Sequence, residues 1–131
     1  MGFSVEIQLQ GQVVMATVVG ELDEVNYLSM RGQVRASLVQ AGAQGVLLDL
    51  RRAVVQASLP GIFNVAASNV EAIPDECKYA IVYSEHTLPE ADAQFGETVA
   101  RNRGAQLRAF SDLAAAQAWL GESGVAPEQL S

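Results

Sequence analysis

The sequence predicts an α/β fold, a mixed β-sheet of about five strands with four helices in the order β-β-α-β-α-β-α-β-α. Three observations predict it. Strand-like runs open the chain, helix-period segments then alternate with short apolar bursts, and glycine or proline punctuates most of the junctions. Strands that alternate with helices give a mostly parallel sheet, and an opening hairpin makes it mixed.

Phe3, Val5, Ile7 and Leu9 alternate with Ser4, Glu6, Gln8 and Gln10, the period of a half-buried strand near an edge. After Gly11-Gln12 the β-branched run 13–19 forms the second hairpin strand, and Gly20 ends it. Glu21-Leu22-Asp23 leads into a first helix whose apolar positions Val25, Leu28, Val34, Leu38 and Val39 fit a 3.6 period, with Gly42 and Gly45 bracketing its end. Val46-Leu47-Leu48, running into Asp49-Leu50-Arg51-Arg52, reads as a short strand buried on both faces and stopped by charge. Ser58, two residues before Pro60, reads as the N-cap of a second helix with Ile62, Phe63, Ala66, Ala67 and Val70 on its apolar face and Pro74 closing it.

A fourth strand spans 78–83 and a third helix 88–102, with Gly104 as its left-handed cap. The fifth strand is 107–110. Ser111 then caps a last helix through Leu120, with Asp112 in its positive first turn and Gly121 at its end. Residues 122–131 lack periodicity and hold Pro127, so the expected organisation is one domain over 1–121 and a C-terminal tail over 122–131.

Composition serves to exclude. A chain of 131 residues buries roughly two-thirds of its unfolded surface and needs no staples. Its 20 alanines and only 8 aromatic residues imply a fine-grained core. Eight Lys and Arg against 15 Asp and Glu, a net charge of −7, speak against binding to nucleic acid or to an anionic membrane surface. One cysteine, Cys77, rules out an internal disulfide and a Cys-rich zinc site, and the single His86 leaves no His-based metal set, so neither metal nor cofactor is expected. Residues 1–12 lack a basic start and a long apolar run, and nothing approaches ~18 consecutive apolar residues. The expectation is a cytoplasmic protein without membrane insertion.

The strand ending in Gly20-Glu21-Leu22-Asp23, the helix after it, and the strand Gly45-Val46-Leu47-Leu48-Asp49-Leu50 together resemble the STAS domain of the anti-sigma factor antagonists, the SpoIIAA-like family. The resemblance runs from about Phe3 to Leu120. The stretch Phe95 to Gly104, with Phe110-Ser111-Asp112, Ala116 and Trp119-Leu120, is similar to the stand-alone bacterial STAS/SEC14-like branch, mostly of unknown function. The resemblance implies a non-enzymatic binding module with a protein partner of the kinase or anti-sigma type, and a homodimer is a further candidate. In the family a serine of an Asp-Ser-Ser-Gly segment is phosphorylated, which places charge in the partner surface and switches binding off. That segment aligns with Gln56-Ala57-Ser58-Leu59, where only Ser58 matches. Ser58 is therefore the candidate phosphoacceptor, beside its plainer role as a cap. The SEC14-like name implies the alternative: a carrier or sensor of a small apolar or anionic ligand, with the second and third helices opening over the sheet to admit it.

Open parallel sheets gather ligands at the carboxyl ends of their strands. Three loops converge there: the one after Arg51 and Arg52, the segment Ser84-Glu85-His86-Thr87, and Ser111-Asp112. Arg51 and Arg52 are candidates to hold an anion or partner carboxylate, or else to pair with Asp49, Glu85 or Asp112. Glu85 and His86 are candidates to bind a partner or an anion and offer a base near neutrality, but Ser84 and Thr87 lack a nucleophile motif, so an enzyme is not expected, a hydrolase-like activity being the residual alternative. Arg101 and Arg103 form the densest basic spot; they complement a helix C-terminus or grip a partner's carboxylates or a lipid phosphate. Cys77 reads as a small buried hydrophobe, and Phe95, Phe110 and Trp119 as packing residues.

Overall fold

In a computed structural model, which describes residues 2–56, 58–73 and 76–121, β1 (Phe3–Gln10) and β2 (Val13–Leu22) pair antiparallel through a turn at Gly11, where φ is 61°. Then β3 (Gly45–Val55), β4 (Lys78–Val82) and β5 (Leu107–Phe110) add in parallel, giving one five-stranded sheet in the order β1-β2-β3-β4-β5. The connecting helices are α1 (Glu24–Ala41), α2 (Leu59–Ala72) and α3 (Glu90–Asn102), and α4 (Leu113–Gly121) follows the last strand. The α/β architecture and element order expected from the sequence are those observed.

Strand order fixes the layers. Each parallel strand is added on the same side of its predecessor, and right-handed crossovers then place α1, α2 and α3 on one face. There Val14, Val18, Val46, Leu48, Leu50 and Tyr79 meet Tyr27, Met30, Val34 and Leu38 of α1. With no further strand to reach, α4 covers the other face, seating Ala116 and Leu120 on Leu47, Ala80 and Val82. Beside it the Trp119 ring packs 5.8 Å from Phe110, with the Lys78 ammonium 4.5 Å from the Trp119 ring centre. No helix among the described residues is long and apolar enough to cross a membrane.

Several local expectations need correction. Of the five α1 positions chosen from the sequence only Val34 and Leu38 are buried; Val25, Leu28 and Val39 are exposed, at 73%, 40% and 59%. The helix carries apolar residues on two faces, and Tyr27 and Met30 set the phase that packs. Arg51 and Arg52 do not stop β3. The last pair with β4 is Asp49 with Val82, but β3 continues through an irregularity and stays paired to β2 as far as Leu22 with Val55. The charges are tolerated because Arg51 and Arg52 are exposed there, while Ala53 beside them is buried. The α4 cap is Asp112, whose carboxylate accepts from Ala115 N at 3.1 Å, one residue beyond Ser111. Phe63 and Phe95 are exposed rather than in the core, because the small residues beside them, Ala66 on α2 and Ala93 and Ala100 on α3, take the inward positions. Pro74, the side chain of Val70 and residues 122–131 lie outside the described residues.

The Gly20-Glu21-Leu22-Asp23 segment is a structural corner. Gly20 has φ 114°, and a Cβ there would stand 2.6 Å from Gly2 O and 2.7 Å from Phe3 Cα, on the backbone of β1. Glu21 N donates to Gly2 O at 3.2 Å, Leu22 is buried and accepts at its carbonyl from Gln56 N at 2.8 Å, and Asp23 caps α1 by accepting from Asn26 N at 2.7 Å. Each residue does a different structural task within four positions. In urea denaturation Gly20→Ala is expected to lose about 2 kcal/mol or more, through strain and collision. Gly32→Ala, in open space on α1, should instead gain about 0.5–1 kcal/mol.

Candidate functional site at the carboxyl edge of the sheet

The carboxyl edge is where the connections begin, and two of its loops are tied together directly. Val55 N, at the end of β3, donates to Thr87 O at 3.3 Å. Tyr83 N donates to Phe110 O at 2.9 Å, and the Arg51 pKa is raised first by its hydrogen bond to Asp49 and, as a lesser contribution, by the charge of Asp112.

Ser58 is exposed at the start of α2, and its hydroxyl accepts from Gly61 N at 3.2 Å while Ile62 N donates to its carbonyl at 2.9 Å. It is thus an N-cap whose side chain still faces solvent. Arg51 holds Asp49 through both carboxylate oxygens, Nε to Oδ1 at 2.9 Å and Nη2 to Oδ2 at 2.8 Å. Burial works to raise the Asp49 pKa, but the hydrogen bonds and charge of Arg51, with the charge of Arg52, outweigh it and hold the carboxyl below its usual range. Arg52 is exposed beside this pair.

Glu85 and His86 are both exposed in a turn. The turn is closed by Thr87 Oγ1, which accepts from Ser84 N at 3.1 Å and donates to Ser84 O at 3.0 Å, so the hydroxyl nearest the histidine has a structural role. Arg101 and Arg103 are not part of this edge. They sit where α3 ends, ahead of the amino end of β5; Arg101 pairs with Glu97 at 3.2 Å, and the Arg103 guanidinium lies 5.4 Å from the Phe63 ring centre. Cys77 is buried, its thiol raised in pKa by burial and by Glu76.

A cavity of about 80 Å³ lies between α2, α3 and the sheet, where the carrier alternative calls for an opening. Leu50, Ile62, Val65, Ile81, Leu88 and Leu107 give it an apolar wall, and Tyr27 closes it from α1. Burial pushes the Tyr27 hydroxyl up to about 12, against the nearby Arg31 charge, so it stays protonated. Asp23, Glu24, Asp92 and Glu97 stand around the cavity. It exists because α2 packs chiefly on α3 and α1, over the small residues Gly61, Ala66, Ala93 and Gly96. Ala93, Gly96 and Ala100 recur at helix spacing in the sequence, a signal for a close helix contact that the apolar pattern alone does not weigh.

No family model and no curated protein matches the chain. Two solved structures align with nearly all of it. An anti-sigma factor antagonist from Mycobacterium paratuberculosis matches with a TM-score of 0.63 at 16% identity, over 92% of this chain and 95% of the other. The fold is SpoIIAA-like. An uncharacterised DUF3478-family protein with a SpoIIAA-like fold, from Shewanella loihica, matches with a TM-score of 0.55 at 20% identity, over 91% and 93%. Ser58 stands between the end of β3 at Val55 and the start of α2 at Leu59.

Two measurements probe the edge. Ser58→Ala should cost about 1 kcal/mol of unfolding free energy as the cap is lost. Because the Asp49 pKa is depressed on folding, its contribution is present above the ordinary carboxylate range and lost as pH falls through the folded value. Denaturation from about pH 6 to 3 should therefore show wild type more stable than Asp49→Asn by roughly 0.5–1 kcal/mol at the upper end, with the gap closing at the lower.

Proposed function

We propose that this protein is a non-enzymatic binding module, related in its mode of action to the anti-sigma factor antagonists, that docks a protein partner at the start of α2. The observation that carries the reading is Ser58 itself: it is exposed at the head of a helix, in a fold shared along nearly the whole chain with an anti-sigma factor antagonist. Pro60 and the half-exposed ring of Phe63 on the next turn add contact surface beside it. Phosphate on Ser58 would place nearly two negative charges on that surface, a cost to any partner packed there, while remaining compatible with a helix N-terminus. The hydroxyls of Ser84 and Thr87 are bonded to each other's residues, which supports contact rather than catalysis at the neighbouring loop.

A second reading, a carrier or sensor of a small apolar ligand, is favoured by the cavity beneath α2. At about 80 Å³ it is far below the roughly 300–1,000 Å³ of drug-sized sites, so any such ligand presents a small group.

Cross-linked capture from an extract of the source organism tests the first reading. Wild type should retain a stoichiometric partner that Phe63→Glu and Ser58→Asp both lose. Capture of no partner, or of the same one by both variants, contradicts docking at α2.

A further inference from the structure

We infer that the cavity beneath α2 is a binding site for short aliphatic ammonium compounds, the alkyl group entering between α2, α3 and the sheet and the cation resting at the acidic rim. The inference rests on the cavity reading above and names its ligand class.

Size limits the alkyl part. An apolar cavity of ~150 Å³ accepts benzene, so about 80 Å³ accepts a chain of about three to four carbons. Apolar contacts from Leu50, Ile62, Ile81 and Leu88 give no reason for a polar ligand atom to enter the interior.

Charge selects the head group. The four lining side chains charged at neutral pH, Asp23, Glu24, Asp92 and Glu97, are all acidic; no basic side chain among the described residues lines the cavity, though Arg31 donates to the carbonyl of Val65 in its wall at 3.1 Å. Two of them have structural duties: Asp23 caps α1, and Glu97 accepts from Ala109 N at 3.0 Å and from Arg101 at 3.2 Å. Glu24 and Asp92 stand in the first turns of α1 and α3. The helix starts there each bring about half a positive charge. Four carboxylates still exceed what those dipoles, Arg101 and Arg31 supply together, so the rim is net negative. A carboxylate ligand would meet repulsion there, an alcohol neither cost nor gain, and an ammonium attraction.

Methyl-detected NMR titration of the full chain at neutral pH tests this with ethyl-, propyl-, butyl- and hexylammonium, and with the alcohols and carboxylates of equal length. Affinity should rise about fourfold per methylene as far as butyl and then level off. At butyl length the ammonium should bind about tenfold tighter than the carboxylate, with shifts at Leu50, Ile62, Ile81 and Leu88. Glu24→Gln with Asp92→Asn, changes at the rim that leave the wall intact, should shrink the ammonium preference while leaving butanol binding unchanged; Ala93→Leu should abolish binding of both. Equal affinity for ammonium and carboxylate overturns the inference and leaves the cavity reading standing. Absence of any shift at the wall methyls overturns both.

Discussion

Adding β3, β4 and β5 successively on one side of β2 forces three crossover helices onto a single face of the sheet, and nearly everything else in the molecule follows from that constraint. Three helices compete for the space above four parallel strands. The first packs on the hairpin side and the third beside β5, so α2 is left to rest on its neighbours. Beneath it the packing is incomplete, and the cavity lies there. On the opposite face only α4 is available. It covers β4 with its neighbours β3 and β5 and leaves the outward residues of β1 exposed.

The same constraint explains why structure and chemistry share residues at the carboxyl edge. Every crossover helix starts there, so caps and first-turn acids collect there as well: Asp23 on α1, Ser58 on α2, Glu90 and Asp92 on α3. Residue types that a site would use are thus accounted for first by helix termini. Ser58 caps α2 with a hydroxyl that accepts one backbone bond and still faces solvent. The Arg51 and Asp49 pair likewise steadies the exposed extension of β3 while standing close to Asp112.

Much of this was legible in the sequence because the strands carry strong local patterns. Alternation in β1, the β-branched run of β2 and the apolar burst of β3 each have one physical reading, and Gly42 and Gly104 mark real helix ends with positive φ. The failures are equally physical. Helix α1 has apolar residues around more than one face, so spacing alone does not say whether Val25 or Tyr27 points inward; contact with the sheet decides it. The charged pair Arg51-Arg52 looks like a strand end only if the strand is assumed to keep neighbours on both sides, and β4 stops before it does. The carrier alternative puts an opening between the second and third helices, but the size and lining of the cavity arise from what α2 does not touch, a property of three elements together. Its one local trace is the small-residue spacing Ala93, Gly96 and Ala100.

What this packing leaves in the folded protein is an apolar cavity between α2, α3 and the sheet. Xenon, which enters dry apolar cavities without needing a hydrogen bond or a charge, tests it most directly. Under a few atmospheres of the gas, methyl resonances of Leu50, Ile62, Val65, Ile81 and Leu88 should shift together and saturate with one affinity. Shifts scattered over the surface methyls Val25, Leu28 and Val39, with the wall methyls unmoved, would contradict it.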